Sequence, residues 1–280
     1  MSDAYPQRIV CLTEEPTEVL YAIGEDHRIV GISGFTVRPP RARKEKPKVS
    51  AFTSAKIGQI LDLKPDLAIG FSDLQADIAQ ELIRAGVEVW ISNHRSVDGI
   101  VAYIRRLGAM VGATAKAEAL AVRAEENLAR IAALAAALPR RPKVYFEEWD
   151  DPLITGIRWV GELVRIAGGD DVFPELLEEP LAKQRILADP LEVVRREPDI
   201  VFGSWCGKRF RPEHVASRPG WSDVPAVRDG ELHEIKSPII LQPGPAALFD
   251  GIEALHAVIA RWAMGQAAAS THRRQGRLPP

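Results

Sequence analysis

The segment KIGQILDLKPDLAIG, residues 56–70, returns in outline far down the chain as LEVVRREPDIVFG, residues 191–203. Each copy opens with an amphipathic helical turn and passes through a charged residue followed by Pro-Asp: Lys64-Pro65-Asp66 in one, Glu197-Pro198-Asp199 in the other. Each then ends in a short apolar run closed by Gly. Proline lacks a backbone donor and disfavours helix at the residue before it, so the helix must stop there. A short continuous apolar run suits a strand buried on both faces. Between the copies lies a Gly- and Pro-free stretch, TAKAEALAVRAEENLARIAALAAAL at 114–138, built from strong helix formers. At 1.5 Å per residue it would form a rod about 35 Å long. The pattern predicts two α/β lobes with parallel-type sheets, joined by a single long helix.

The rest of the chain fits that plan. Candidate strands at 8–12, 29–32, 67–70 and 87–91 alternate with helices at 16–23, 56–63 and 76–85, the first and last of these stopped by Gly24 and Gly86. The polar VRPPRARKEKPK can continue neither kind of element and reads as a loop. Beyond the long helix come a strand at 143–147, a helix at 160–167 stopped by Gly168-Gly169, strands at 200–203 and 232–235, and a final helix at 246–264. The domain reading is an N-terminal lobe at 1–113, the helix at 114–139, a C-terminal lobe at 140–267 and a flexible tail at 268–280.

Charge and composition narrow the partners. The 36 Lys and Arg against 38 Asp and Glu give a net charge of −2, which offers no general attraction to nucleic acid or an anionic membrane. No run of about 18 apolar residues is present, so no membrane span is expected. MSDAYPQRIVCL shows no basic and then apolar leader pattern, which points to the cytoplasm; a chain cut behind a removed signal would read identically and be periplasmic. The two cysteines, Cys11 and Cys206, sit in apolar strand contexts and are read as structural thiols.

In open parallel sheets, ligands bind beyond the carboxyl ends of the strands. The residues there are Glu14 and Glu15, Phe35 and Phe52, Phe71, the group Glu147-Glu148-Trp149, and Trp205-Cys206, with Gln242 in a further wall. Aromatics at several strand ends suggest a large, partly apolar ligand. Glu14 and Glu15 stand at a helix entrance, where carboxylates offset the macrodipole. Glu147 and Glu148 have no such local reason and are weighted toward ligand contact. The six histidines make no HxH or HxxxH pair, and neither CxxC, GxSxG nor a phosphate-binding GxxxxGK[ST] loop occurs. No catalytic residue and no metal site is assigned. Cys206 with His94 is the one conceivable nucleophile and base, and binding outweighs catalysis.

With RIVCLTEEPTEVLYAIGEDHRIVGIS, the paired LKPDLAIG and REPDIVFG, AGVEVW, and GIRWVGELVRIAGGDDVF, the chain resembles the vitamin B12 and iron-siderophore class of ABC-transporter substrate-binding proteins over residues 8–262. It looks most similar to the cobalamin-binding members. The resemblance implies a class III periplasmic-binding-protein-like fold with no intrinsic cofactor and a corrinoid such as cobalamin as the small-molecule ligand. Phe35, Phe52, Phe71, Trp149 and Trp205 would then line an interlobe cleft, with Glu14, Glu15, Glu147, Glu148 and Gln242 bonding peripheral amides. A ferric siderophore or other metal chelate is the alternative ligand, and a Cys206/His94-dependent enzyme the alternative class. Two departures bear on partners. Members that dock on a permease present a Glu on each lobe, and here those positions read Gly58 and Leu191, the latter beside Glu192, which places an ABC permease partner in question. IILQ at 239–242 stands where some members carry a polar pair.

Overall fold

The computed structural model describes residues 4–275, with side chains through Gly265. The chain divides into two compact units. The first comprises the chain to Glu126 together with Gln242–Ala246, and the second comprises Asn127–Leu241 and the residues from Ala247 onward. The boundary between Glu126 and Asn127 falls inside one continuous helix, Thr114–Ala136, as the Gly- and Pro-free stretch predicts.

The first unit is a five-stranded sheet of β1 (Ile9–Cys11), β2 (Ile29–Ser33), β3 (Lys48–Ser50), β4 (Leu67–Phe71) and β5 (Glu88–Ser92). The spatial order is β3-β2-β1-β4-β5, and every pairing is parallel. Helices Glu14–Ala22, Ile57–Asp62 and Ala76–Arg84 supply crossovers between strands. Val10, Leu12, Ile60, Ala68, Ile78 and Leu82 pack as a buried cluster from strands and helices together. Two features escape the sequence reading. The polar loop contains helix Ala42–Glu45 and leads directly into β3. A fourteen-residue helix, Val97–Met110, follows β5, capped where the Ser96 hydroxyl accepts from the Gly99 N–H at 3.0 Å.

The second unit holds β6 (Lys143–Asp150), β7 (Leu153–Thr155), β8 (Asp170–Asp171), β9 (Ile200–Gly203) and β10 (Leu232–Glu234). The order β10-β9-β6-β7 is parallel except at β7, which runs antiparallel to the end of β6; β8 pairs parallel with the start of β6. The hairpin corrects the expected strand at 143–147. Pairing with β7 extends β6 to Asp150, so Glu147, Glu148 and Trp149 lie in the strand and not beyond it. The core gathers Tyr145, Phe173, Val201, Trp205, Phe210 and Trp221.

The repeated Pro-Asp phrase does the same job in both units. Asp66 accepts from the backbone N–H groups of Gln7 (2.6 Å) and Arg8 (2.9 Å), and its own N–H donates to the Arg8 carbonyl (3.0 Å). Asp199 accepts from the Lys143 N–H (2.8 Å), and its N–H donates to the Lys143 carbonyl (2.8 Å). Each aspartate thus pins the start of β4 or β9 to the start of its neighbour, β1 or β6. The residue before each proline, Lys64 (φ 48°) or Glu197 (φ 52°), takes the left-handed conformation. Non-glycine residues adopt it at a cost of about 1–2 kcal/mol.

The final helix, Ile252–Gln275, carries the chain to the limit of the described residues, and the tail expected to be flexible extends past that limit. Among the described residues no helix is long and apolar enough to cross a membrane.

Candidate functional site

In the first unit the connections leave β1 toward one edge for β2 and β3 and toward the other for β4 and β5, so the strand order reverses at β1 and β4. The carboxyl ends of those two strands flank the crevice in which doubly wound sheets bind ligands. Glu14 and Glu15 follow β1 and open helix Glu14–Ala22; Phe71 ends β4. The topology therefore places these three at the switch point.

Both glutamates are buried at the helix start. The Thr13 hydroxyl donates to Glu15 Oε1 at 2.6 Å, while Oε2 of each glutamate is buried without a partner among the described residues. Burial pushes Glu14 up to about 7 and Glu15 up to about 8. Glu15 is thus mostly a neutral acid at pH 7, able to donate one hydrogen bond and accept others. In the same unit the Tyr103 hydroxyl is also buried and unpartnered among the described residues. Its ring stacks between Trp90 (5.2 Å) and His94 (4.5 Å), and His94 meets Phe71 edge-on at 5.4 Å. Phe71 is itself buried, with the Arg95 guanidinium 5.6 Å from its ring centre. Burial pushes His94 down to about 4, so its ring is neutral at pH 7. Its Nε2 donates to the Pro243 carbonyl at 2.8 Å.

That contact ties the segment after Leu241 to this unit, where Ala246 N–H also donates to Glu18 at 3.1 Å. Gly244 is required there: a Cβ would stand 2.9 Å from that of Glu15. Gln242 opens the segment, half-buried. Phe35 is 47% exposed and Phe52 half-buried in the loops after β2 and β3, so of the three phenylalanines these two present open apolar surface.

Gln75 is the residue that sequence reasoning missed here. Fully buried, it accepts from the Phe71 N–H (3.0 Å) and donates to the carbonyls of Phe52 (3.0 Å) and Leu12 (3.3 Å). One side chain thereby fixes the ends of three strands. Ser72, between Phe71 and Gln75, has φ 66° and ψ 170°, a region that normally admits only glycine. Backbone strain is held where β4 delivers its last residue to the switch point.

In the second unit the structure assigns the acids differently from the sequence. Glu147 is wholly buried, bonded by Arg218 through both oxygens (2.6 and 2.8 Å) and by the Trp205 indole N–H (3.1 Å). Its valences are spent inside the unit, which corrects its role from ligand contact to positioning Trp205 and Arg218. Glu148 pairs with the buried Arg185 at 2.7 Å. The sequence gives no local sign of either arginine, which lie 71 and 37 residues away. Trp205 is buried and edge-on to Phe210 at 5.0 Å, a ring of this unit's core. Trp149 stays half-buried at the strand end, its indole N–H donating to the Asp151 carbonyl (2.8 Å). Lys208 Nζ sits 5.4 Å from the Trp149 ring and 5.3 Å from Trp205, and binds both oxygens of Asp150. The thiols separate: Cys11 is buried in β1 and pushed up to about 12 by that burial, an inert structural thiol, whereas Cys206 is exposed in the turn after β9, not in a core. Among the described residues no group of His, Cys, Asp and Glu is arranged to hold a metal ion.

A family model described as "Periplasmic binding protein" matches residues 9–239. The vitamin B12-binding protein of Vibrio campbellii is 26% identical over 247 residues, covering 85% of this chain and 84% of its own. Among solved structures, the periplasmic vitamin B12 binding protein of Vibrio cholerae superposes with a TM-score of 0.73 at 21% identity, covering 92% of this chain and 98% of that one. A periplasmic heme binding protein from Pseudomonas aeruginosa does so with 0.77 at 23% identity, covering 92% and 94%.

Proposed function

The chain belongs to the periplasmic binding protein family, and from that premise we propose that it binds a corrinoid reversibly, through residues at the carboxyl ends of its strands. It is a solute-binding protein and not an enzyme. The observation that carries the finer reading is the likeness to a vitamin B12-binding protein along 85% of the chain. The chemistry of the first unit supports it. Corrinoids present a broad apolar macrocycle rimmed by amides. Phe35 and Phe52 offer apolar surface, and a neutral Glu15 beside Glu14 suits amides, which need donors and acceptors together. Gln242 joins the same unit and adds an amide of its own. In the second unit, Trp149, Glu148 and Cys206 stand at or just beyond strand ends and are proposed as ligand contacts of that unit, with Glu147 bonding Trp205 within it.

The reading extends to partners. Gly58 is exposed on helix Ile57–Asp62, and Leu191 is exposed at the start of helix Leu191–Arg196. Glu192, the nearest acid, is held by Arg195 (2.7 Å) and Arg196 (3.1 Å). On this proposal the chain serves as a carrier or sensor in the cytoplasm without docking on a permease; fractionation of native cells that finds it in the periplasm would overturn that part. The ligand is tested by titrating the purified chain calorimetrically with cyanocobalamin, and in parallel with ferric siderophores. Saturable binding of cyanocobalamin is expected. Heat from a ferric siderophore alone would replace the corrinoid with a metal chelate.

A further inference from the structure

The loop after β9 carries a feature that corrin amides do not explain. Trp205, Lys208, Arg209, Arg211 and His214 line a cavity of about 250 Å³. Arg209, Arg211 and His214 are exposed, and among the described residues none forms an ion pair. Asp150 is taken by Lys208 and Glu147 by Arg218; Glu213 and Glu234 are exposed, and Glu234 also accepts from the Phe210 N–H at 3.2 Å. The loop is braced at both ends, by Trp205 on Glu147 and by Phe210, whose ring fills the space over Gly203. The cavity also lies at the carboxyl end of β9, the end that carries the binding residues in this fold. Its volume falls below the roughly 300–1,000 Å³ that holds a whole small molecule, and it suits one anionic group of a larger ligand.

We infer that this loop is an anion subsite, holding a phosphodiester or carboxylate of the ligand through Arg209 and Arg211. The inference rests on the corrinoid reading and deepens it. It distinguishes cobalamin, whose nucleotide loop carries a phosphodiester, from cobinamide, which has the same macrocycle without it.

The test measures dissociation constants of cyanocobalamin, dicyanocobinamide and hemin for the native protein and for the Arg209→Ala/Arg211→Ala double variant, at low and high salt. Both arginines are exposed, so the variant is expected to fold, which its circular dichroism and Tm verify. The native protein should prefer cyanocobalamin to dicyanocobinamide, and the double variant should reduce that ratio about tenfold, the scale of one or two charge-assisted hydrogen bonds. High salt should narrow it as well. Salt-sensitive hemin binding that weakens about tenfold in the variant, without a corrinoid preference, would support the subsite with a carboxylate as its anion. Affinities for all three ligands that match between native protein and variant would overturn the subsite and leave the binding reading standing. Failure of the native protein to bind any of the three would overturn both.

Discussion

Replacing Glu15 by glutamine should remove a pH-dependent loss of stability that the native protein carries. Glu15 is 1% exposed, and its carboxyl is pushed up to about 8, chiefly by burial, with the Thr13 hydroxyl pulling the other way and Glu14 and Glu18 adding to the rise. The ordinary value, taken for the unfolded chain, is 4.5. Below pH 4.5 the group is protonated in both states and contributes no pH dependence. Between 4.5 and about 8 the unfolded chain gives up the proton while the folded chain keeps it, so unfolding releases a proton and stability falls as pH rises. The slope is about 1.4 kcal/mol per pH unit, which accumulates to about 5 kcal/mol by about pH 8 and stays level above. The amide of the variant cannot titrate, and its side-chain oxygen can still accept from Thr13. The stability gap between Glu15→Gln and the native protein should therefore shift by about 5 kcal/mol in the variant's favour between about pH 4.5 and about pH 8.5. Urea unfolding at several pH values across that range measures it, with the slope of the difference as the readout, because any packing penalty of the amide is constant with pH. A gap that does not change across the range would refute the claim that Glu15 is held as a neutral acid.

Other outcomes follow from single contacts. Arg218→Met should cost about 3–5 kcal/mol by urea unfolding, because it takes the bidentate partner from the buried Glu147. Asp66→Ala and Asp199→Ala should each cost about 1–3 kcal/mol, by removing the charged acceptor that ties two strand starts together, the exposed N–H groups then turning to water. Gly203→Ala would drive a methyl into the Phe210 ring; a loss of about 1–3 kcal/mol and a shifted Trp205 fluorescence are expected. Native thermal and spectral behaviour in any of these variants would contradict the contact concerned.

The alternation of elements was readable because helices and strands print different periods, and because Pro65 and Pro198 mark the stops. What those prolines set up was not readable: the backbone bonds of Asp66 and Asp199 join residues more than fifty apart. The hairpin of β6 and β7 was hidden because its strands carry acids, Trp and Asp in place of a plain apolar run. Glu14, Glu15 and Phe71 came to the switch point as the strand order requires, since strand ends follow from local pattern and topology. Glu147 and Trp205 did not remain surface groups, because their partners Arg218 and Phe210 are fixed by tertiary packing. Gln75 could not have been singled out at all: an isolated glutamine before a helix gives no sign that it will hold three loops.

The central claim, reversible corrinoid binding, is tested most directly by the visible absorbance of the purified protein after incubation with cyanocobalamin and rapid desalting. The account predicts a corrin spectrum that elutes with the protein near one equivalent and is lost on prolonged dialysis. A colourless protein fraction at ligand concentrations that saturate a vitamin B12-binding protein run alongside would contradict it.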